Sequence, residues 1–183
     1  MATMWAGRGH ELQTVVNVSP VQFDMSLGEA VSEILSKTYC DPELISLEIT
    51  ETSLMRNANS AVSTLDDLKK LGISVSIDDF GTGYSSLGHL KNLPIDVLKI
   101  DKSFIDDVTT ETDDASLVTA MVGLAHNLRL SVVAEGVEKK EQLQFLNQIG
   151  CDEWQGYLFS EALSEHHFNR FLERQLSVAP HGV

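Results

Sequence analysis

Six short apolar runs, each followed by a segment with helical spacing, constrain the fold of this chain more than any other feature. The runs are rich in Val, Ile and Leu, and five of them include residues 15–18, 47–50, 76–77, 97–100 and 132–134. The sixth run is weaker and ends at Trp154. Continuous apolar runs are typical of parallel strands that are buried on both faces. Because strands and helices alternate, the sequence predicts an α/β fold with a parallel sheet and right-handed crossovers.

The segments between the runs carry apolar residues at helical intervals. In the segment from Leu27 to Tyr39, for example, Leu27, Val31 and Ile34 fall on one helical face. No linker of distinct composition interrupts the alternation over the 183 residues. About six βα units in a single domain are therefore expected.

Composition excludes several classes of function. Acidic residues outnumber basic ones 27 to 13, for a formal charge of −14, which argues against binding to polymeric DNA or RNA. Cys40 and Cys151 lie far apart, without zinc-ligand spacing, and predict reduced thiols and a cytoplasmic location. No apolar run approaches the roughly 18 residues of a membrane span, and the N-terminus does not resemble a secretory signal.

Polar side chains follow the apolar runs at the point where each run ends. The carboxyl ends of parallel strands meet at one edge of a sheet, which is where barrels and doubly wound sheets both bind their ligands. Polar groups from six separate runs favour a closed ring over a single crevice. The candidate residues are Asn17, Glu48, Asp78, Asp79, Lys99, Asp101, Glu135 and Gln155.

The adjacent acids Asp78 and Asp79 are the clearest sign of a metal site. Two neighbouring carboxylates repel each other where a strand meets the interior, and a bound Mg²⁺ or Mn²⁺ would remove that cost. A solvated turn is the alternative interpretation, because Asp and Gly both favour turns and Gly81 and Gly83 follow at once. For Lys99, the alternative to a functional role is an ion pair with Asp101.

A set of motifs, in order and at consistent spacing, resembles the EAL family of cyclic di-GMP phosphodiesterases. The resemblance extends from about Ala6 to Leu172. The motifs are Asn17-Val18-Ser19-Pro20, Leu47-Glu48-Ile49-Thr50-Glu51, Asp78-Asp79-Phe80-Gly81-Thr82-Gly83, Lys99-Ile100-Asp101, Ala134-Glu135-Gly136-Val137-Glu138 and Gln155-Gly156-Tyr157.

The resemblance implies a modified (β/α)8 barrel that hydrolyses cyclic di-GMP to the linear dinucleotide with two Mg²⁺ or Mn²⁺ ions. It implies metal ligation by Asn17, Glu48, Asp78, Asp79 and Glu135, and catalytic roles for Lys99, Glu135 and Gln155. By the same resemblance, Asp101 and Gln155 would face the substrate. Glu51, Gly81 and Gly83 would support the loop from Phe80 to Ser86. Glu138 would support the site near the mouth of the barrel.

One departure from the family pattern concerns the first strand. A Glu-Ala-Leu tripeptide that supplies a metal ligand, and a nearby substrate-binding Arg, are expected several dozen residues before Asn17, where only sixteen residues precede it. The tripeptide Glu161-Ala162-Leu163 follows the last run, and we interpret it as a coincidence. The prediction is therefore an incomplete (β/α)8 TIM-type barrel over residues 13–176, without the first strands and helices, between tails at 1–12 and 177–183.

An incomplete barrel would expose the apolar run from Val15 to Val18 as a sheet edge. We therefore expect a homodimer or a larger assembly. The other outcomes are that the tail from Met1 to Leu12 covers the gap, or that the fragment opens and is only marginally stable. Two alternatives to the phosphodiesterase remain at this stage. The chain could be a non-catalytic cyclic di-GMP-binding or protein-interaction module of the same fold, or a fragment with no independent role.

Overall fold

The computed structural model describes residues 3, 5, 12–23, 26–56, 58–83 and 87–178. Its strands are β1 (Thr14–Val18), β2 (Ile45–Thr50), β3 (Ser74–Phe80), β4 (Val97–Ile100), β5 (Ser131–Ala134) and β6 (Glu153–Trp154). Its helices are α1 (Leu27–Thr38), α2 (Glu51–Met55), α3 (Ala58–Lys70), α4 (Leu87–Leu90), α5 (Lys102–Asp106), α6 (Thr112–Asn127), α7 (Lys140–Gln148) and α8 (Glu165–Val178). Each of the six predicted strands is present.

The strands form one parallel sheet in chain order, β1-β2-β3-β4-β5-β6. The predicted α/β fold is confirmed. Within the described residues β1 and β6 are edge strands that do not pair with each other, so the ring is not closed.

The core lies between the sheet and the helices that cover it. Ile77 of β3 and Leu98 of β4 are fully buried, as are Leu65 and Leu68 of α3 and Ile105 of α5. Full burial of one such side chain contributes about 1.5–3 kcal/mol relative to an exposed position. This packing fixes the positions of the carboxyl ends of the middle strands.

The β1 edge is apolar and partly open to solvent. Val15 and Val16 are 49% and 44% exposed. A groove of about 490 Å³ lies between β1 and α1, with Val16, Val18 and Val31 in its walls. The exposed apolar edge is therefore a feature of the folded chain.

The described part of the N-terminal tail contacts the groove beside β1 and the helix α8. Thr3 lies in the wall of the groove beside β1. The Trp5 indole packs on Phe168 of α8 with ring centroids 5.1 Å apart, and its Nε1 donates a hydrogen bond of 2.9 Å to Asn169 Oδ1. The rest of the predicted tail up to Glu11, and the predicted C-terminal tail beyond Val178, lie outside the described residues.

Two aspartates fasten the amino-terminal ends of the strands by the same arrangement. Asp96, just before β4, accepts hydrogen bonds from the Val75 N–H at 2.8 Å and from Lys69 Nζ at 2.7 Å. Asp152, just before β6, accepts from the Val132 N–H at 2.8 Å and contacts His126 Nε2 at 2.9 Å. In each case a carboxylate joins the end of a helix to the start of a strand.

This arrangement makes stability depend on pH through Asp152. Burial alone would raise the pKa of Asp152, but the hydrogen bonds from His126 and from the Val132 N–H together hold that pKa below its ordinary value. A lowered folded-state pKa stabilises the protein above the unfolded value of about 3.9, and the contribution disappears as pH falls through the folded value. Asp152→Asn should therefore lower the urea midpoint at pH 7 and flatten its decline between pH 5 and pH 3. The exposed Asp66→Asn serves as control, and a decline parallel to that of the unmodified protein would contradict the assignment.

Two further sequence predictions concern the cysteines and the membrane. Cys40 and Cys151 are both free and partly buried, and burial raises the pKa of the Cys151 thiol to about 11. A thiol with so high a pKa is a poor nucleophile near neutral pH. Over the part of the chain that the structure describes, no helix has both the length and the apolarity that crossing a bilayer requires.

Candidate functional site

The sheet register brings the polar residues after the strands onto one rim. Asn17 of β1 stands opposite Glu48 of β2. Ala134 of β5 stands opposite Trp154 of β6, so the residues that follow them, Glu135 and Gln155, are also neighbours. The alternating side-chain direction of strands places such opposed residues on the same face of the sheet.

Lys99 is the centre of this rim. Its side chain is 6% exposed, and Nζ lies 2.5 Å from Glu48 Oε1, 2.5 Å from Glu135 Oε1 and 3.1 Å from Asp78 Oδ1. Burial by itself would lower the pKa of Lys99, but the hydrogen bonds to Glu135 and Glu48 outweigh it and raise that pKa. Lys99 is therefore a buried ammonium shared by three carboxylates.

Asp78, Asp79 and Glu135 form a second, overlapping group. One oxygen of each lies within 4.8 Å of the others. Burial, followed by the charges of Asp78 and Asp101, raises the pKa of Asp79. Three carboxylates converging at this distance are a donor set that suits a hard divalent cation such as Mg²⁺ or Mn²⁺.

A bulge in β3 explains how two consecutive residues can join one group. Between β3 and β4 the register shifts, so that β3 advances from Ile77 to Phe80 while β4 advances only from Leu98 to Ile100. Asp79 adopts a left-handed backbone with φ +55°, which Asp tolerates better than most residues. Because side chains of a regular strand alternate between faces, the extra residue is what re-aims Asp79 toward Asp78 and Glu135.

Glu135 is held by residues from both neighbouring strands. Besides its contact with Lys99, its Oε1 accepts a hydrogen bond of 2.6 Å from Gln155 Nε2. Burial raises the pKa of Glu135, and the hydrogen bond and charge of Lys99 oppose that rise. Glu135 is thus the point at which the lysine, the amide and the acidic group meet.

Asn17 and Asp101 lie near this cluster but have other surroundings. Asn17 is exposed, and its relation to the acids is the register with Glu48. Asp101 accepts from the Ser103 N–H at 3.0 Å and from Ser103 Oγ at 2.5 Å, which caps α5. The alternative ion pair between Lys99 and Asp101 is wrong, because Lys99 pairs with acids of other strands.

Glu51 joins the end of β2 to the segment after β3. It is 1% exposed, and its Oε2 accepts a hydrogen bond of 2.9 Å from the Gly81 N–H. A Cβ at Gly83 would lie 2.5 Å from Glu51 Oε1, and one at Gly81, where φ is +99°, would lie 2.7 Å from Met121 Cε. Gly81 is favoured by its positive φ, and a side chain at Gly83 would displace the buried Glu51 carboxylate. Residues 84–86 of the predicted loop lie outside the described residues.

One rim contact was missed by the sequence analysis. Lys102 Nζ lies 2.5 Å from Glu138 Oε1 and links the segment after β4 to the segment after β5. The Lys102 side chain also crosses Gly136, where a Cβ would collide with it. Opposite charges placed shortly after two consecutive strands were the signal that could have indicated this pair.

A comparison with protein-family models gives the family. The model of the EAL domain matches residues 1–162. The chain belongs to the EAL family. The tripeptide Glu161-Ala162-Leu163 is exposed and stands just before α8, far along the chain from the first strand.

Relatives and solved structures agree with this membership. The bifunctional diguanylate cyclase/cyclic di-GMP phosphodiesterase MucR of Pseudomonas aeruginosa is 41% identical over 162 residues, which are 87% of this chain and 24% of MucR. The structure of the PaMucR phosphodiesterase in complex with c-di-GMP matches with a TM-score of 0.87 at 40% identity, covering 90% of this chain and 68% of that one. The EAL domain of Mycobacterium smegmatis DcpA matches with a TM-score of 0.87 at 35% identity, covering 94% and 78%.

These matches also show the extent of the similarity. The chain spans about a quarter of the length of the curated relatives that it matches. Against solved EAL structures it covers a much larger share, and the shared part is the parallel sheet with its helices. The fold is therefore that of the EAL, TIM-barrel-like structures, with the ring open in the described residues.

Proposed function

We propose that this chain functions in a cyclic di-GMP phosphodiesterase, in which cyclic di-GMP is hydrolysed to the linear dinucleotide at a divalent-metal site. The observation that carries the proposal is the cluster of Glu48, Asp78, Asp79 and Glu135 around the buried Lys99. The name of MucR and the c-di-GMP in its solved complex support the choice of substrate.

The carboxylates would hold the metal. Asp78, Asp79 and Glu135 converge within 4.8 Å. Glu48 of β2, and Asn17 opposite it on β1, would be further oxygen ligands for a second ion. Bound Mg²⁺ or Mn²⁺ would supply charge neutralisation of the phosphodiester and a water of lowered pKa. An amide at Asn17 would contribute an oxygen without adding to the negative charge.

The remaining residues of the rim would position the reactants. Lys99 offers N–H donors to negative charge that develops on phosphate oxygens, and Gln155 orients the Glu135 carboxylate through its 2.6 Å hydrogen bond. Asp101 and Gln155 would contact the substrate. Glu51, Gly81 and Gly83 would fix the segment after β3, while Glu138 would fix the rim through Lys102.

A second candidate function is binding of cyclic di-GMP without hydrolysis. The contact of Lys99 with three of the four acids favours it, because the ammonium already compensates part of the charge that a metal would otherwise neutralise. Such a chain would act as a receptor or an interaction module of the same fold.

The open edge of β1 supports self-association as a further part of the proposal. Val15 and Val16 are each about half exposed. An unpaired parallel edge also presents N–H and C=O groups to another chain. A homodimer or larger assembly would cover the exposed valines and pair the backbone groups of this edge.

A turnover assay with a matched variant tests the proposal. Incubation with cyclic di-GMP and Mn²⁺ should give the linear dinucleotide, measured by chromatography. Asp78→Ala should lower the rate by about 100-fold or more, because it removes a charge shared by Lys99 and the acidic group. The exposed Asp66→Ala should leave the rate unchanged. Nucleotide binding without product would favour the receptor, and absence of both binding and product would contradict the two functions.

A further inference from the structure

We infer that the Lys99 ammonium competes with a divalent ion for the same carboxylates of the acidic cluster. The inference rests on the proposed function only for the kind of ion, a divalent metal. It concerns the balance between two cations at one site and can be measured without nucleotide or catalysis.

The overlap of contacts is the first observation. Of the three carboxylates that contact Lys99 Nζ, two, Asp78 and Glu135, also belong to the group whose oxygens converge within 4.8 Å. Glu135 Oε1 already accepts from Lys99 Nζ and from Gln155 Nε2. A metal ion that took this oxygen as a ligand would have to weaken at least one of those hydrogen bonds.

Burial and charge are the second observation. The side chains of Lys99, Asp78 and Glu135 are 6%, 16% and 15% exposed, so water screens their charges only partly. Four acids with one ammonium leave an excess of three negative charges in a small volume. Removing one partner of a buried pair leaves an uncompensated charge at high cost, so Lys99 stabilises the metal-free fold.

The same contacts must then reduce metal affinity. If a site must rearrange before a ligand binds, the free energy of that rearrangement is subtracted from the binding free energy. When two groups compete, each lowers the affinity of the site for the other by the same factor. Loss of Lys99 contacts, together with repulsion between an ammonium and a divalent ion, offsets part of the attraction of the carboxylates for the metal. A lysine that only braces the fold from outside the metal site would not produce this effect.

Replacement of the ammonium by an apolar side chain of similar length tests the inference. In Lys99→Met, the Kd for Mn²⁺ should fall about tenfold, within the usual range of coupling between sites. Free Mn²⁺ is measured by its electron paramagnetic resonance signal during titration at fixed pH. The thermal midpoint in EDTA should also fall, and the rise on adding Mn²⁺ should exceed that of the unmodified protein. Lys69→Met is the matched control, because Lys69 pairs with Asp96 at the opposite end of the sheet.

The outcomes separate this inference from the proposed function. Equal or weaker Mn²⁺ binding by Lys99→Met would overturn the inference. Absence of Mn²⁺ binding by every variant would overturn it together with the proposed function, whereas tenfold tighter binding without hydrolysis of cyclic di-GMP would contradict only the latter. If Lys99→Met does not fold, Lys99→Arg is used to test the competition instead. Its guanidinium keeps the charge and contacts carboxylates through two parallel hydrogen bonds. Weaker Mn²⁺ binding by Lys99→Arg supports competition, and unchanged or tighter binding overturns it.

Discussion

An alanine at position 156 is expected to lower the free energy of unfolding by about 3 kcal/mol or more, because overpacking against backbone cannot be relieved by a side-chain rotation. A Cβ on Gly156 would collide with the backbone nitrogen and oxygen of Val137. Those atoms are fixed by hydrogen bonds of 3.0 Å, from the Val137 N–H to Gln155 O and from the Leu158 N–H to Val137 O. The segments that carry Glu135 and Gln155 would have to separate, so the urea midpoint and the cluster geometry should change together.

Gly123→Ala is the matched control for this substitution. Gly123 is an exposed position inside α6, and a Cβ there would meet nothing within 4 Å. Alanine should raise the free energy of unfolding by about 0.5–1 kcal/mol, because glycine loses more backbone freedom in a helix. Urea titrations of the two variants should therefore move in opposite directions. A Gly156→Ala protein as stable as the unmodified chain would show that the two segments are not held as closely as described.

Under the proposed function, replacing Glu135 by glutamine is expected to lower kcat for cyclic di-GMP by about a thousandfold, within the range observed when a group that transfers or orients protons is removed. The change keeps the size of the side chain and removes the charge that faces Lys99 at 2.5 Å. It also removes one of the three carboxylates that converge within 4.8 Å. Steady-state kinetics at saturating Mn²⁺ gives the measurement.

Glu141→Gln provides the comparison for that experiment. Glu141 is exposed in the first turn of α7, a few residues along the chain from Glu135. The same chemical change there should leave kcat within a factor of about two, because surface charges at this distance from the reacting atoms are screened by solvent. A Glu135→Gln variant that kept turnover within tenfold of the unmodified protein would remove Glu135 from the catalytic group.

The strands and the rim were predictable because their signals are local. Runs such as Val97 to Ile100 and Val132 to Ala134 are visible in the sequence itself. Parallel strands that are buried on both faces consist of such apolar runs. Once these runs are neighbours, the residues that follow them must share an edge, which brings Glu135 beside Gln155. The family resemblance predicted metal-binding and catalytic roles for the same residues.

The missing details depend on how strands fit together. The left-handed backbone of Asp79 follows from one extra residue in β3 relative to β4, and no local pattern gives the register of two strands. Lys99 lies two residues from Asp101, yet it pairs with acids of β2 and β3 and with Glu135, while Asp101 caps a helix. Sequence proximity favoured the wrong partner because neighbours in a sheet are distant in the chain.

The spatial order of the six strands equals their order in the chain, so the first and the last strand are the two edges of the sheet. The four segments that meet at Lys99, namely β2, β3, β4 and the end of β5, all lie between these edges. An insertion, truncation or fusion at either end of the sheet would therefore disturb the edge strands, together with Asn17 of β1 and Gln155 after β6, before it reached Lys99 and its acids. One strand on each side, β1 and β6, thus stands between Lys99 with its three acids and any change made at an edge of the sheet.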